Sequence, residues 1–358
     1  MIAEMKGVTP FDGSAKRATI YSVAERAGVS VATVSRMVNG SGYVGRQSRS
    51  RIQEAMEALQ FEPNGLARSL NTKQSELLAL LLTDIANPFS AQIARGVQDA
   101  ARDAGYIPVI CSTDTPEAER DTVRALRRKR VDGLILTPMQ GERSDENMEL
   151  LHTLCDKGMA MVCIGRRPVH PHADEVSTDT SAGARAAVAH LAALGHQRVG
   201  FIGGQISRGV AMGRLAGYRQ GLADAGLPAD VPLVREGELD EDSGRRETLA
   251  LLSLPLPPTA IFCVNDRTAF GALAALAALA ERGRRVPEDV SVVGFDDIPL
   301  AALIRPTLTT VRQPAHELGR LATTFLLGRI AHPETPHQRS VLPCQLVARQ
   351  SSGRAPDD

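Results

Sequence analysis

From about residue 76 onward, short apolar runs alternate with stretches of helical periodicity, and this alternation restricts the chain to few folds. Strand-like runs lie at residues 77–82, 107–110, 133–136 and 159–164, with helical stretches at 92–104, 118–129 and 148–157. Further strand-like runs lie at residues 199–202, 260–264 and 290–295. This order is typical of parallel sheets joined by right-handed crossovers. Two such series predict an α/β body of two similar lobes, with a boundary near the segment "HADEVSTDTSAG".

The segment that precedes this body is helical throughout. The stretch "TIYSVAERAGVSVATVSRMVNGSGYV" holds two short helical patterns, and Gly28 breaks the first of them. Ser30 can cap the second helix, which should end near Val38. A third helix is predicted from about residue 46 to 59, with Phe61 closing a small all-α core. Residues 1–18 mix glycine, proline, serine and charges, which predicts a disordered leader.

Charge is distributed unevenly, although the whole chain has a formal net charge of zero. Between positions 16 and 51, seven basic residues face a single acid, Glu25; the basic residues are Lys16, Arg17, Arg26, Arg36, Arg46, Arg49 and Arg51. Such cations can neutralise phosphates and supply non-specific affinity for DNA. An ordinary helical hairpin is the alternative interpretation of the two short helices.

The second helix has the side chains that a DNA-reading helix needs. It begins with Val31, Ala32 and Thr33, which are small enough to approach base edges or a thymine methyl group. Arg36 lies one turn further along the same face, where it can make a bidentate contact to guanine. These features favour a helix-turn-helix headpiece over a plain hairpin.

Several other classes of protein lack support in the sequence. The five cysteines are scattered without metal or redox spacing, which indicates free thiols in a reducing compartment. The N-terminus has no apolar core typical of a secretory signal, and the longest apolar run, 272–280, is too short to cross a membrane. We find no dinucleotide, P-loop, nucleophile-elbow or zinc-protease motif. The sequence therefore predicts a cytoplasmic protein that is not an enzyme and has no cofactor and no metal site.

Ordered motifs from Thr19 onward make the chain resemble the lac/galactose repressor family. The N-terminal ones are "IYSVAERAGVSVATVSRMVNG", "FEPNGLARSL" and "DIANPF". The later ones are "RVDGLIL", "RLAGY", "FCVNDRTAFGAL", "SVVGFDDIP" and "PTLTTVRQP". The resemblance implies a helix-turn-helix headpiece, a hinge helix and a two-lobed core like that of periplasmic sugar-binding proteins.

By position, the resemblance also implies which residues face DNA. In the headpiece they are Thr19, Tyr21, Ser30, Val31, Ala32, Thr33, Ser35, Arg36, Asn39 and Tyr43. The segment "PNGLARSL" resembles the hinge helix, in which Ala67 and Leu70 match DNA-facing positions and Leu70 falls where the family wedges a leucine into the minor groove. A wedged leucine unstacks a base step at a cost of a few kcal/mol, which the contacts of the bent duplex offset.

The resemblance further implies an effector site between the lobes. Its residues by position are Asn87, Phe89, Ser90, Arg166, Arg214, Asn265, Asp296 and Gln313. An arginine, two amides and a carboxylate in one cleft suit a polyol, because they donate to and accept from vicinal hydroxyls. Taken singly, Asn265 and Asp296 can be helix caps and Arg214 a surface ion pair.

Two residues depart from the family pattern in this site. Ser90 replaces the second aromatic residue of "NPFF", and Gly165 replaces an aspartate before Arg166. Both changes leave room for a phosphorylated or bulkier ligand, with Arg166 and Arg214 as suitable partners.

The predicted organisation is a leader (1–18), a headpiece (19–62), a hinge helix and linker (63–75), a core (76–352) and a tail (353–358). Within the core, one lobe comprises about 76–176 and 310–338, and the other about 177–309 and 339–352. The chain is predicted to be a homodimeric repressor on a near-palindromic operator, controlled by a small ligand. An activator or a regulator controlled by a partner protein is the alternative. A solute-binding protein would need an export signal and no headpiece.

Overall fold

The computed structural model describes residues 18–39, 42–61, 74–137, 144–165, 168–204, 210–280 and 284–356. The chain divides into two compact units, residues 1–75 and 76–358. The predicted leader up to residue 17 and the predicted hinge up to residue 73 lie outside the described residues.

The described part of the first unit is a small all-α domain with three helices. Its helices are α1 (Ile20–Ala27), α2 (Val31–Asn39) and α3 (Arg46–Ala58). They pack around a core of buried residues: Val23, Ala24, Ala27, Val34, Val44, Ile52 and Ala55. Gly28 ends α1 with a φ of 62°, a left-handed conformation that glycine adopts without steric cost. The tight turn between α1 and α2 therefore depends on this glycine.

The first lobe of the second unit contains a six-stranded sheet in the order β11-β5-β4-β3-β1-β2. Its strands are β1 (Leu77–Leu82), β2 (Ile107–Ser112), β3 (Gly133–Leu136), β4 (Ala160–Ile164), β5 (Asp174–Thr178) and β11 (Arg339–Leu342). Its helices are α4 (Pro88–Asp103), α5 (Pro116–Arg128), α6 (Asp145–Asp156) and α11 (Ala315–Ala331). All strand pairs in this sheet are parallel, and apolar clusters cover both faces.

The second lobe repeats this plan with a sheet in the order β12-β10-β9-β8-β6-β7. Its strands are β6 (Val199–Ile202), β7 (Val234–Arg235), β8 (Ala260–Cys263), β9 (Ser291–Asp296), β10 (Thr309–Arg312) and β12 (Gln345–Val347). Its helices are α7 (Thr180–Ala193), α8 (Val210–Asp224), α9 (Glu241–Leu252) and α10 (Asp266–Ala277). Its described residues also form short 3₁₀ helices at Val231–Leu233 and Pro299–Ala302. Only the β10–β12 pair is antiparallel among the strand pairs described. The predicted fold class is thereby confirmed.

The sheets place three strands differently from the predicted lobe boundaries. Strand β11 pairs in parallel with β5 and belongs to the first lobe, although residues 339–352 were expected in the second. Strand β10 pairs with β9 in the second lobe, although the first lobe was expected to resume at residue 310. Strand β5 continues to Thr178, two residues past the expected boundary. The chain crosses between the lobes where β5, β10 and β11 end, so the lobe boundaries lie at the ends of these three strands.

Among the described helices, none is both long and apolar enough to cross a membrane.

Candidate functional site

A cavity of about 310 Å³ lies between the two lobes of the 76–358 unit. Residues that follow β1, β3 and β4 form the first-lobe wall, and residues that follow β8 or end β9 form the second-lobe wall. The carboxyl ends of parallel strands meet along one sheet edge, which is where α/β proteins bind ligands. The cavity is lined by Thr83, Asp84, Asn87, Phe89, Ser90, Ile93, Thr137, Ile164, Gly165, Thr178, Thr180, Gly213, Arg214, Leu239, Asn265, Arg267, Asp296, Gln313 and Leu318.

Seven of the eight predicted effector residues lie on the wall of this one cavity. They are Asn87, Phe89, Ser90, Arg214, Asn265, Asp296 and Gln313. The eighth, Arg166, lies outside the described residues. The fold thus brings together seven residues that were named from sequence, and their roles in binding a ligand remain predictions.

On the second-lobe wall of the cavity, Asp296 is held by two donors. Arg214 Nη2 donates to Asp296 Oδ1 at 3.2 Å, and Gln313 Nε2 donates to the same oxygen at 2.7 Å. Asp296 Oδ2 accepts no hydrogen bond from the described residues, so this oxygen is available to a ligand hydroxyl. The side chains of Arg214 and Asp296 are only 5% and 6% exposed. Arg214 is therefore a buried partner of Asp296 and not the surface ion pair that the sequence left open.

The Arg214 guanidinium is fixed from two further sides. Nη1 donates to the carbonyl oxygen of Val264, and the guanidinium carbon lies 4.0 Å from the centre of the Phe295 ring. A cation over an aromatic face is attracted by the ring quadrupole, and more strongly when water is excluded. The guanidinium is thus preorganised before any ligand arrives.

Burial changes the acid–base properties of this region. Desolvation raises the pKa of Asp296 to about 6, and the opposing effects of Arg214 and Gln313 are smaller. Burial also raises the pKa of Asp266 well above its ordinary value, and the nearby charge of Asp296 adds to the increase. Both carboxyls are buried among protein atoms, where each added negative charge is disfavoured.

Asn87 and Asn265 cap helices as well as lining the cavity. Asn87 Oδ1 accepts from Phe89 N at 3.0 Å at the start of α4. Asn265 Oδ1 accepts from Thr268 N at 2.8 Å at the start of α10, and its Nδ2 donates to Leu239 O at 3.0 Å. The capping role that the sequence left open for Asn265 is present. Both amides stay in reach of a ligand because their capped helices begin at the cleft.

Several polar residues of the cavity were not predicted from sequence, among them Thr178, Asp84 and Arg267. Thr178 Oγ1 donates to Gln313 Oε1 at 2.5 Å. This bond connects the end of β5 with the residue that follows β10, two places where the chain passes from one lobe to the other. Arg267 Nη1 donates to Asp84 Oδ2 at 3.0 Å, which connects the lobes directly. Their positions in the sequence could have indicated Asp84 and Arg267 as cleft residues, since Asp84 follows β1 in "LLTDIANPF" and Arg267 follows Asn265-Asp266. The pairing itself depends on how far apart the lobes stand.

In the 1–75 unit, the predicted DNA-facing residues lie at the surface or are only half-buried. Tyr21 and Tyr43 are 71% and 90% exposed, and Ala32 and Arg36 are exposed on α2. The remaining ones are Thr19, Ser30, Val31, Thr33, Ser35 and Asn39, none of which is buried. Buried Val34 anchors the opposite face of α2. Ala67 and Leu70 lie outside the described residues.

Hydrogen bonds between neighbouring residues hold several side chains of this surface in place. Thr19 caps α1, with Ser22 N donating to its Oγ1 at 3.3 Å in a reciprocal capping box. Ser30 Oγ accepts from Thr33 N at 3.2 Å, and Asn39 Nδ2 donates to Ser35 Oγ at 3.1 Å. The turn and the exposed face of α2 are therefore fixed by local hydrogen bonds.

Comparison with known proteins agrees with this two-unit description. The family model described as "Bacterial regulatory proteins, lacI family" matches residues 19–64, and the one described as "Periplasmic binding protein-like domain" matches residues 188–352. The HTH-type transcriptional repressor PurR of Aliivibrio salmonicida (strain LFI1238) is 33% identical over 338 residues, 93% of this chain and 98% of that protein. The chain belongs to the lacI family of bacterial regulatory proteins. Another lacI-family relative, the HTH-type transcriptional regulator DegA of Bacillus subtilis (strain 168), is 35% identical over 342 residues, 94% of this chain and 98% of that protein.

Solved structures of transcriptional regulators share the architecture. A lac repressor dimer bound to operator and the anti-inducer ONPF is similar with a TM-score of 0.81 and 31% identity, covering 94% of this chain and 100% of that one. A complex of the transcriptional regulator CelR with cellobiose has a TM-score of 0.70 and 31% identity, with the same coverage. A lacI-family regulator from Enterococcus faecium with bound ribose has a TM-score of 0.68 and 28% identity, covering 79% of this chain and 100% of that one. These relatives are transcriptional regulators, and two of the structures contain a sugar.

Proposed function

We propose that the chain is a transcriptional repressor that binds a near-palindromic DNA operator as a homodimer and responds to a neutral, polyhydroxylated small ligand. The observation that carries this proposal is that one chain holds both an exposed, arginine-bearing α2 and a preorganised polar cleft between two lobes. The operator-bound lac repressor and the sugar-bound relatives support both halves of the proposal.

The charge balance of the cleft favours a neutral ligand over a sugar phosphate. The described lining residues include two acids, Asp84 and Asp296, and two cations, Arg214 and Arg267. Each cation is already bonded to one of these acids, so a phosphate would have to displace a carboxylate from its partner. A neutral polyol needs no such exchange, because its hydroxyls can accept from the amides and donate to Asp296 Oδ2.

The shape and chemistry of the walls fit a sugar-like molecule. Phe89 supplies a ring for one face of a pyranose or furanose, and Ile93, Ile164 and Leu318 give further apolar surface. Pockets for small ligands generally combine such apolar walls with a few fixed polar groups. The serine at position 90 keeps the cleft wider than a second aromatic ring would.

Thermal unfolding in the presence of neutral sugars, sugar phosphates and nucleosides tests the ligand class. A ligand at about 100 times its dissociation constant should add roughly 2.7 kcal/mol to the free energy of unfolding. We expect a neutral polyol to raise the melting temperature, and Asp296→Asn to remove that rise while operator binding is retained. Arg285→Gln, in an exposed ion pair of the second lobe, is the matched control and should keep the response. A rise produced only by phosphorylated ligands would contradict the proposed class.

Base readout by α2 is tested by substituting its exposed arginine. Arg36→Ala should cost about 1–3 kcal/mol of operator binding and relax the preference at one base pair. Arg49→Ala, which removes an exposed arginine from α3, serves as a control and should leave the base preference unchanged. An unchanged preference in Arg36→Ala would remove this residue from direct readout.

A further inference from the structure

A charged cluster spans the cleft on the side of Asp84, and neither the lobe cores nor the Arg214–Asp296 pair includes it. Asp84 follows β1 in the first lobe, whereas Arg267 is the second residue of α10 and Glu241 the first residue of α9 in the second lobe. Arg267 Nε and Nη2 donate to the two oxygens of Glu241 at 2.8 and 2.7 Å. Its remaining nitrogen, Nη1, reaches across to Asp84 Oδ2 at 3.0 Å.

Arg267 is held rigidly on its own lobe. A Cβ added to Gly271 would lie 1.9 Å from the carbonyl oxygen of Glu241, and one added to Gly244 would lie 2.0 Å from that of Thr268. Helices α9 and α10 therefore touch backbone to backbone where Glu241 and Arg267 meet. The fork-shaped, two-bond contact with a carboxylate fixes the plane of the guanidinium as well.

Asp84 is anchored on the opposite lobe. Its Oδ1 accepts from the backbone N of Ala86 at 2.8 Å, within the turn that leads to α4. Both partners of the Asp84–Arg267 bond are thus tied to their own lobes by separate contacts. The length of that bond depends on the separation of the lobes and little on side-chain rearrangement.

We propose that Asp84 and Arg267 are positioning residues that latch the two lobes together over the ligand cleft. The proposal rests on the proposed function only in taking the cleft as a ligand site. Their side chains are 37% and 26% exposed, so the pair lies at the rim, where the cleft meets solvent. Opening the cleft requires breaking this ion pair, and a bound ligand leaves only when the rim is open.

The latch also contributes to ligand selection. Arg267 is flanked by two acids, Asp84 and Glu241, so the cluster carries one net negative charge. Hydrogen bonds from Arg267 lower the pKa of Glu241, which keeps this carboxylate charged as the pH falls. An anionic ligand at the rim would compete with Asp84 for Arg267 and loosen the latch, whereas a neutral ligand leaves it intact.

Hydroxyl-radical footprinting of the ligand-free full chain tests the latch. The probes are Phe89 on the first-lobe wall and Leu239 on the second, and exposed Tyr43 in the other unit is the internal reference. Asp84→Asn leaves the Arg267–Glu241 bonds in place, and we expect it to raise oxidation at both probes about twofold or more, the scale of a partly exposed ion pair. Arg267→Gln should give the same increase, and the double variant should give no more than either single one.

Salt provides an independent readout of the same pair. Raising the ionic strength from about 0.15 M to about 1 M shortens the Debye length from roughly 8 to 3 Å, which weakens an ion pair at the rim. Oxidation at Phe89 and Leu239 should rise with salt in the wild-type chain and not in Asp84→Asn.

Arg285→Gln is the matched control, because it breaks an ion pair within one lobe. Unchanged oxidation in Asp84→Asn, or an increase confined to the wall that carries the substitution, would overturn the latch. Because no ligand is present, that result would leave the proposed function standing. Conversely, increased oxidation in Asp84→Asn together with no thermal shift by any neutral polyol would support the latch and contradict the proposed ligand class.

Discussion

Asp296 combines features that rarely occur in one residue. Its side chain is buried, it shares one oxygen between Arg214 and Gln313, and its backbone has a φ of 112°. Such a backbone conformation in a non-glycine residue costs on the order of 1–3 kcal/mol and persists only when the surroundings impose it. The surroundings here include Asp297, whose carboxylate binds Arg349 at 2.6 Å and Arg312 at 2.6 Å. The turn after β9 is thereby clamped so that Asp296 faces the cleft.

The raised pKa of Asp296 predicts how its contribution to stability depends on pH. The folded chain holds this proton up to a pH of about 6, whereas the ordinary value is 3.8. The stabilising contribution of this proton is therefore complete when the pH lies below the ordinary pKa of 3.8, and it is lost as the pH rises through about 6. Urea unfolding should show that the free energy of unfolding of the wild type, relative to that of Asp296→Asn, falls by on the order of 3 kcal/mol between about pH 4 and pH 7.

Asp289 offers a control of opposite sign. The hydrogen bond from Arg285 lowers the pKa of Asp289, so that its contribution is present at neutral pH and lost as the pH falls. The free energy of unfolding of the wild type, relative to that of Asp289→Asn, should therefore rise with pH. A difference for Asp296→Asn that stays constant with pH would contradict the assignment of a raised pKa.

The residue types of the cleft could be predicted from sequence, but their pairings could not. Asn265 and Asp296 were named from family motifs at strand ends and Arg214 from a motif on α8, and the fold brings all three to the wall of one cavity. The Asp84–Arg267 bond joins residues 183 positions apart, and it forms only because two lobes stand at a particular separation. No local pattern encodes that distance.

At the scale of elements, helices α9 and α10 cross at two glycines. Gly271→Ala should place a Cβ 1.9 Å from the Glu241 carbonyl oxygen, which is backbone and cannot swing aside. Overpacking of this kind typically costs about 1–3 kcal/mol. Urea unfolding should therefore show a lower free energy of unfolding for Gly271→Ala.

Gly328 in α11 is the matched control for this substitution. A Cβ there would meet nothing within 4 Å, and the residue has no positive φ. Gly328→Ala should stabilise the chain by about 0.4–1 kcal/mol, because alanine loses less conformational freedom on folding. Equal effects of the two substitutions would show that close helix contact does not explain Gly271.

The elements that sequence predicted well are the ones buried on both faces. Strands β1, β3 and β6 match their predicted bounds at both ends, because continuous apolar runs are typical of central parallel strands. Strands β11 and β12 were not predicted, since they are short edge strands with exposed or half-buried positions. Their pairing partners, and not their composition, make them strands.

At the scale of the whole 76–358 unit, the chain crosses between lobes three times, after β5, β10 and β11. Gln313 lies at the second crossing and binds both Asp296 and Thr178, the last residue of β5. A ligand that engages Asp296 therefore acts on a hydrogen-bond chain that leads to two crossings. This arrangement gives ligand binding a physical route to lobe closure, which is how two-lobed proteins respond to ligands.

The proposal of a DNA-binding regulator is tested most directly by selecting binding sites from random duplex DNA with the full chain. Two headpieces in a dimer should enrich one near-palindromic sequence made of two half-sites, and Arg36→Ala should lose the preference at one base pair of each half-site. Enrichment of no common sequence, or of one that Arg36→Ala selects unchanged, would contradict base readout by α2.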